Sequence, residues 1–379
     1  MRWRTVAPGM VALLDPAVQA LVDAAAPRLV CELEAGPAAI VLLAWQPPPG
    51  RIARDDGPVH SFVCSPSVRD RLLAAHPDAP PESLCCLLLE ALLDGSIGLD
   101  RLLVRQLPLP DADTEPAPVD PVPTALIMAH RGSVDHLRVA LRYIAAGADR
   151  GLVTRVGLDT GEVEPYRALA SSLDRLQFFQ GHPAPAGPYV IRQKLAELSP
   201  EPFLLFHDSD DLSTSDRLAR LRAAFASTDC GLIGCHELLV DEIADEVRAI
   251  RYPLDVTAAL RDGPHYCLLH PTSMVSRAAF FSAGGFSTDR VISQDTQFHF
   301  RAWFHMRMQN LDRFLYVRRK HAASLTTHPA TAIGSEFRRA IERPWFPDFE
   351  AVKSGRLTLG ESTLAAASRP SDHRLVPLA

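Results

Sequence analysis

Phe203-Leu-Leu-Phe-His-Asp-Ser-Asp-Asp211 is the stretch on which the reading of the fold turns. Four consecutive positions carry large apolar side chains, which describes a strand buried on both faces. The strand then runs into three carboxylates within four positions, Asp208, Asp210 and Asp211. If the chain stays extended, Asp208 and Asp210 face the same way and repel, a cost that a hard divalent cation or a run of donors relieves. A cation held by carboxylates suits a phosphate-bearing ligand, whose oxygens it bridges. The competing reading is an acidic turn, with Asp211, Ser213 and Ser215 capping a helix over 217–225.

Outward from this stretch, strand and helix patterns alternate. A short apolar strand spans 124–129, with a turn at 130–133, a helix over 134–146 and a strand over 152–158 that ends at Asp159. A helix is expected over 165–173, a proline-rich loop over 182–188 and a helix over 189–198. Such alternation predicts an α/β fold, a mostly parallel sheet with helices on both faces. In these sheets ligands bind beyond the carboxyl ends of the strands, where His130, Asp159 and Asp208 fall.

With these motifs in order, the body resembles the family 2 glycosyltransferases, inverting enzymes of GT-A fold. The resemblance covers about 123–327. It rests on Leu126-Ile-Met-Ala-His-Arg131, on Val156-Gly-Leu-Asp159, and on Arg192-Gln193 where the family has Arg-Asn, fifteen residues before Asp208. Farther on, Gly284-Gly285-Phe286 precedes Asp295 by the family's ten residues, Arg301 follows six later, and Val317-Arg-Arg-Lys-His321 leads to Ser324. The resemblance implies a sugar nucleotide donor, first a UDP-sugar, and Mn²⁺ or Mg²⁺. It implies Asp210 as metal ligand with His321 completing the shell or meeting the diphosphate, and Asp208 on ribose or sugar. His130, Asp159 and Arg192 then belong to the nucleotide-sugar site, and Asp295 is the general base, taking the proton of the acceptor hydroxyl as that oxygen displaces the diphosphate in line from the opposite face. Gly285, Gln294 and Arg301 lie on the acceptor side or brace the acids, bracing being the reading for Arg301. Gln294 stands where the family has glutamate, which removes a like charge beside the base. Gln193 replaces asparagine, and His207 replaces an apolar residue at the lip of the site.

The remaining sequence sets the frame. The chain has 379 residues, enough for two or three domains at ~150 residues each. Residues 107–123 hold six prolines and four acids, and read as a semi-rigid spacer. The division expected is therefore an N-terminal accessory domain over 1–106, the spacer over 107–123, a GT-A domain over 124–345, and a partly disordered extension over 346–379. The N-terminal part reads as helices over 17–26, 66–75 and 83–93 with a buried strand over 38–44. It carries no catalytic constellation and suits acceptor docking, an oligomer contact or a partner.

A net charge of −6 leaves no global basic surface, which argues against a nucleic-acid binder. Only Lys194, Lys320 and Lys353 are lysines, leaving 36 arginines, a skew that reads as coding bias before phosphate recognition. No apolar run reaches the ~20 residues of a membrane span, and Asp15 and Pro16 interrupt any leader over 1–26. With seven cysteines and no CxxC pair, neither a disulfide framework nor zinc at Cys230, Cys235, His236, Cys267 and His270 is expected, and the chain reads as cytoplasmic. Two other functions compete: a catalytically degenerate GT-A scaffold, and a haloacid-dehalogenase-like phosphotransferase with Asp208 as nucleophile and Lys320 as its lysine. The acceptor stays open among glycan, lipid-linked sugar, small metabolite and peptide.

Overall fold

The structure, a computed structural model, describes residues 1–7, 10–32, 37–44, 55–107, 121–170, 175–368 and 372–378. Most of the proline-rich stretch at 107–123 lies outside the described residues, as do positions 171–174.

The N-terminal part comprises β1 (Arg2–Ala7), β2 (Met10–Leu14), α1 (Pro16–Glu32), β3 (Ala38–Ala44), β4 (Asp55–Pro58), β5 (Ser61–Cys64), α2 (Pro66–Ala75), α3 (Leu84–Leu93) and β6 (Arg101–Leu107). Five of its strands form a sheet in the order β1-β2-β5-β3-β6. Alternation along β3 divides its side chains between two faces. Ile40 and Leu42 pack with Val18, Val22 and Leu29 of α1, whereas Ala39, Val41 and Leu43 join the cluster that holds α2 and α3. The sequence of α3, LCCLLLEALL, is apolar almost all round, the signature of a helix covered on every side.

That covering comes from the rest of the chain. The cluster around α3 runs without a break into Leu212, Leu238, Val240, Phe314 and Val317. β4 leaves the N-terminal sheet altogether and pairs with a hairpin strand of the body. The N-terminal part therefore shares one hydrophobic core with the body, a closeness that a spacer between separate units did not anticipate. The reason is that α3 has too little polar surface to face water alone.

The body is built on β7 (Thr124–His130), β8 (Leu152–Leu158), β9 (Leu176–His182), β10 (Phe203–Phe206), β11 (Leu212–Ser213), β12 (Leu232–Asp241), β13 (Glu246–Ile250), β14 (Met274–Ser276), β15 (Met308–Lys320) and β16 (Arg374–Pro377). Its strand order is β11-β15-β12-β14-β10-β7-β8-β9-β16, with β13 beside β12 and β4 beside β13. β10, β7, β8 and β9 are mutually parallel, and β14 inserts antiparallel between β10 and β12. Helices α4 (Val134–Ala146), α5 (Glu164–Arg167), α6 (Pro188–Leu198), α7 (Arg217–Ser227), α8 (Val256–Asp262), α9 (Arg277–Ser282), α10 (Gln294–Ala302), α11 (Glu336–Glu342) and α12 (Trp345–Lys353) complete it. This is the helix-flanked, mostly parallel α/β sheet read from the sequence, preceded by a smaller mixed unit. In register, Phe206 lies opposite Ile127 and His130 opposite Leu158, so His207, His130 and Asp159 emerge along one edge.

Two local expectations change. Of the helix expected over 165–173, the described residues form the short helix Glu164–Arg167, in which Tyr166 buries its ring against His130, and 171–173 lie outside the described residues. The tail expected to be loose after Ser362 is instead built in. Leu364 is fully buried, and Arg374–Pro377 adds an antiparallel strand to β9. An edge strand with free N–H and C=O groups captures such a segment, whatever its small-residue composition.

Leu212 follows the acidic stretch directly and is 1% exposed in the core shared by the two parts. Leu212→Ala is expected to lower stability by about 3 kcal/mol in urea denaturation, the usual cost of a buried leucine cavity. A loss below about 1 kcal/mol would contradict a shared core at this point.

Candidate active site

The acids at the end of β10 do not act as one cluster; each has its own partner. Asp208 pairs with the Arg192 guanidinium from α6, and its backbone N–H donates to the Tyr316 hydroxyl (3.0 Å). Asp210 faces His321 at the end of β15, with Nε2 3.2 Å from Oδ2. Asp211 is buried and accepts the Arg319 N–H at 2.8 Å, with Tyr316 as a second hydrogen-bond partner. Asp211 is thus tied to β15 rather than capping a helix. Asp216 occupies the N-cap position of α7.

The electrostatics follow from that division. Burial raises the Asp208 carboxyl; Arg192 opposes the shift, and Asp210 and Asp295 add to it. Burial also acts to raise Asp210, but the hydrogen bond and charge of His321 win and hold it below the usual range. Asp211 is pushed well up by burial and by the charges of Asp210 and Asp208. His136 of α4 lies beside this group, its ring 6.1 Å from that of His321, and burial lowers its pKa.

Asp295 sits in the first turn of α10, where the helix dipole favours a carboxylate. The Tyr189 hydroxyl hydrogen-bonds it, and the Arg192 guanidinium lies 5.2 Å from the Tyr189 ring centroid. Burial acts to lower the Arg192 pKa, but the charge of its partner Asp208, with smaller contributions from Tyr189 and Asp295, raises it. His299, one turn along the same helix face, is buried and keeps Nε2 without a partner.

The other residues singled out by sequence divide between facing the site and bracing it. His130 is buried at the end of β7, with Nδ1 2.8 Å from Ser209 Oγ and Nε2 3.2 Å from the Tyr166 hydroxyl; burial lowers its pKa to about 4. Asp159 accepts the Ala186 and Gly187 N–H groups at 2.5 and 2.9 Å, so its two oxygens fix the proline-rich loop. Arg301 is spent on three backbone carbonyls, those of Ala283, Gly285 and Leu364. Gly285 has φ +62°, and a Cβ there would lie 2.5 Å from Gln193 Oε1, which accepts the Phe286 N–H at 2.8 Å. Gln193 and Arg301 thus hold the Gly-Gly-Phe turn together. Gln294 is fully buried, donates to the Arg290 carbonyl, and leaves Oε1 unpartnered. His207 lies under the loop, donating Nδ1 to the Asp208 carbonyl at 2.6 Å, and Trp345 packs in the core.

For a metal, Asp210 and His321 offer an oxygen and a nitrogen donor 3.2 Å apart, a borderline set suited to Mn²⁺ as well as Mg²⁺. Among the described residues, Cys86, Glu90 and Asp245 are the only three such side chains whose ligand atoms already lie within 4.8 Å of one another; they are on α3 and the β12–β13 turn, and burial together with the charge of Glu90 holds the Cys86 thiol protonated. The five residues weighed as a zinc set do not assemble: His236 faces Asp312, and Cys235 approaches the Thr272 carbonyl. Lys320 pairs with Asp241 on the neighbouring strand.

No family model and no curated protein matches this chain. Solved structures do overlay on it in part. They include residues 1–349 of TarS from S. aureus in complex with UDP-GlcNAc, with TM-score 0.45 and 16% identity, over 63% of this chain and 75% of that one. The same fragment without ligand in its description gives TM-score 0.44 and 17% identity, over 63% of this chain and 74% of that one. A likeness of that size says nothing of this chain's activity or substrate.

Sequence reasoning missed Tyr189, Tyr316, His136 and His299 as neighbours of the acids. Two had a local signal: Tyr189 stands three positions before Arg192 and His299 four after Asp295, both same-face helical spacings. Tyr316 and His136 reach the site only through strand register and helix packing.

His299 also supplies a pH test. Burial lowers its pKa to about 4, against ~6.5 in an unfolded chain. Between these values the unfolded state binds the extra proton, so this contribution is complete above pH 6.5 and is lost as pH falls. From pH 7.5 to 5 the wild type is expected to lose about 2 kcal/mol more in urea denaturation than His299→Asn. Parallel curves would exclude a histidine held neutral by burial.

Proposed function

We propose that the protein is an inverting glycosyltransferase that moves a sugar from a nucleoside diphosphate sugar, a UDP-sugar first, to an acceptor hydroxyl. The observation that carries this reading is that α6 meets both acids: its Arg192 pairs with Asp208 at the end of β10, and its Tyr189 hydrogen-bonds Asp295 at the start of α10. It supports a donor-side acid pair and an acceptor-side base facing one cleft.

Asp295 accepts the proton of the attacking hydroxyl, and the Tyr189 hydroxyl orients its carboxylate. Arg192 holds Asp208 in place for the ribose or the sugar. His130 lines the nucleotide side, and Asp159 shapes the loop 183–187 that borders it. Asp210 and His321 hold Mn²⁺ or Mg²⁺, which when bound neutralises charge on the diphosphate leaving group. Gly285, Gln294 and Arg301 form the support behind the base. Lys320, engaged by Asp241, is a poor lysine for the phosphotransferase alternative.

The test is turnover of a UDP-sugar panel with and without Mn²⁺. Donor consumption is expected to vanish with chelator and return with Mn²⁺. Asp295→Asn is expected to cut transfer by about 10²–10⁴-fold while UDP binding persists. Metal-dependent UDP binding without turnover of any donor would instead identify a scaffold, and phosphate release from a monoester a phosphotransferase.

A further inference from the structure

Immediately after Asp211 the chain enters the N-terminal unit's territory. Leu212 is in the cluster with Phe62, Leu88, Leu92 and Val104 of that unit. The Ser215 N–H donates to the Leu102 carbonyl at 2.9 Å, and the Leu102 N–H donates back to Ser215 Oγ at 3.1 Å. Three residues further along β6, Arg105 Nη1 lies 3.0 Å from Asp216 Oδ2, with both side chains at least nine-tenths buried. Asp216 also takes Arg220 Nε at 2.5 Å and the Thr214 hydroxyl at 2.8 Å, so Arg105 closes a network rooted in the acidic loop's exit. Gln106 extends the seam by donating to the Asp312 carbonyl and accepting from Arg251.

On the other side of the loop, Leu212 and Ser213 pair with Val317 and Tyr316 of β15, the strand that carries His321. The exit of the acidic loop is therefore clamped between β15 and β6. The two clamps act on consecutive residues, β15 on 212–214 and β6 on 215–216. β15 sets the position of Asp211 and His321. β6, through Leu102 and Arg105, holds residues 215 and 216, at the far end of the segment that leads out of Asp208–Asp211.

We infer that Arg105 is a positioning residue for the acidic loop and that the N-terminal unit is an integral brace of this site. Removing the Arg105 charge leaves Asp216 buried with one guanidinium in place of two, and the cost of an under-compensated buried carboxylate falls on residues 212–216. The acidic loop then samples open positions more often.

Amide hydrogen exchange tests this directly and does not depend on the transferase reading. In Arg105→Met, amides of 208–216 are expected to exchange at least about tenfold faster, with β7 and β8 unchanged. Arg105→Lys, which keeps the charge, is expected to restore most of the protection. Ser215→Ala removes one seam contact without touching the buried charges, and is expected to give the same pattern more weakly should Arg105→Met fail to fold. Acceleration confined to 101–107 and 214–220, or spread evenly over the chain, would overturn the inference. Mn²⁺-dependent UDP binding run in parallel is expected to weaken about tenfold in Arg105→Met; absence of UDP binding in the wild type would count against the transferase alone, with exchange still deciding the role of Arg105.

Discussion

Crowding of three carboxylates at the end of one buried strand is the constraint on which the rest of the site depends. Asp208, Asp210 and Asp211 cannot share a partner, because like charges in a half-buried setting raise one another's pKa. The fold answers by bringing a different element to each: α6 supplies Arg192, the end of β15 supplies His321, and the backbone of β15 supplies the Arg319 N–H. Tyr316 joins two of the three by taking the Asp208 N–H and meeting Asp211. These elements carry further residues to the acids, Tyr189 of α6 foremost, whose hydroxyl meets Asp295.

Much of the surrounding structure consists of braces. Arg301, Gln193 and Asp159 are charged or polar residues whose hydrogen bonds go to backbone groups of the Gly-Gly-Phe turn and the proline-rich loop. Loops cannot be held by hydrophobic burial alone, since their backbone groups need partners once buried. A guanidinium or carboxylate able to meet several such groups at once is an efficient support. The N-terminal unit extends this pattern, reaching the acidic loop through Leu102 and Arg105 as well as through a shared core.

Elements with strong periodicity were legible at once. α4 at 134–146, β8 at 152–158 and α2 at 66–75 lie where their patterns put them, because propensity, capping and burial agree there. Ser133 caps α4 through the Asp135 N–H, and Gly147 ends it. Near 165–173 the described residues are helical only over Glu164–Arg167, and Tyr166 and Leu169 give the segment its buried apolar face. Leu364 and β16 were underread, since small and polar residues say nothing of a free sheet edge waiting elsewhere.

By itself the sequence determined an alternating α/β body, an apolar strand running into acid, and the spacings that set Asp208, Asp295 and His321 apart as candidates. Local periodicity and side-chain chemistry are sufficient for the sheet and the acidic stretch, whereas Asp295 and His321 stand out only through the order and spacing of motifs that resemble a known family. Only the tertiary structure decided which acid meets which partner, that Asp159 and Arg301 face backbone groups, and that the N-terminal unit grips the acidic loop. Those outcomes depend on strand order and helix packing between residues up to two hundred positions apart, such as Gln106 and Asp312, and no local pattern encodes such distances.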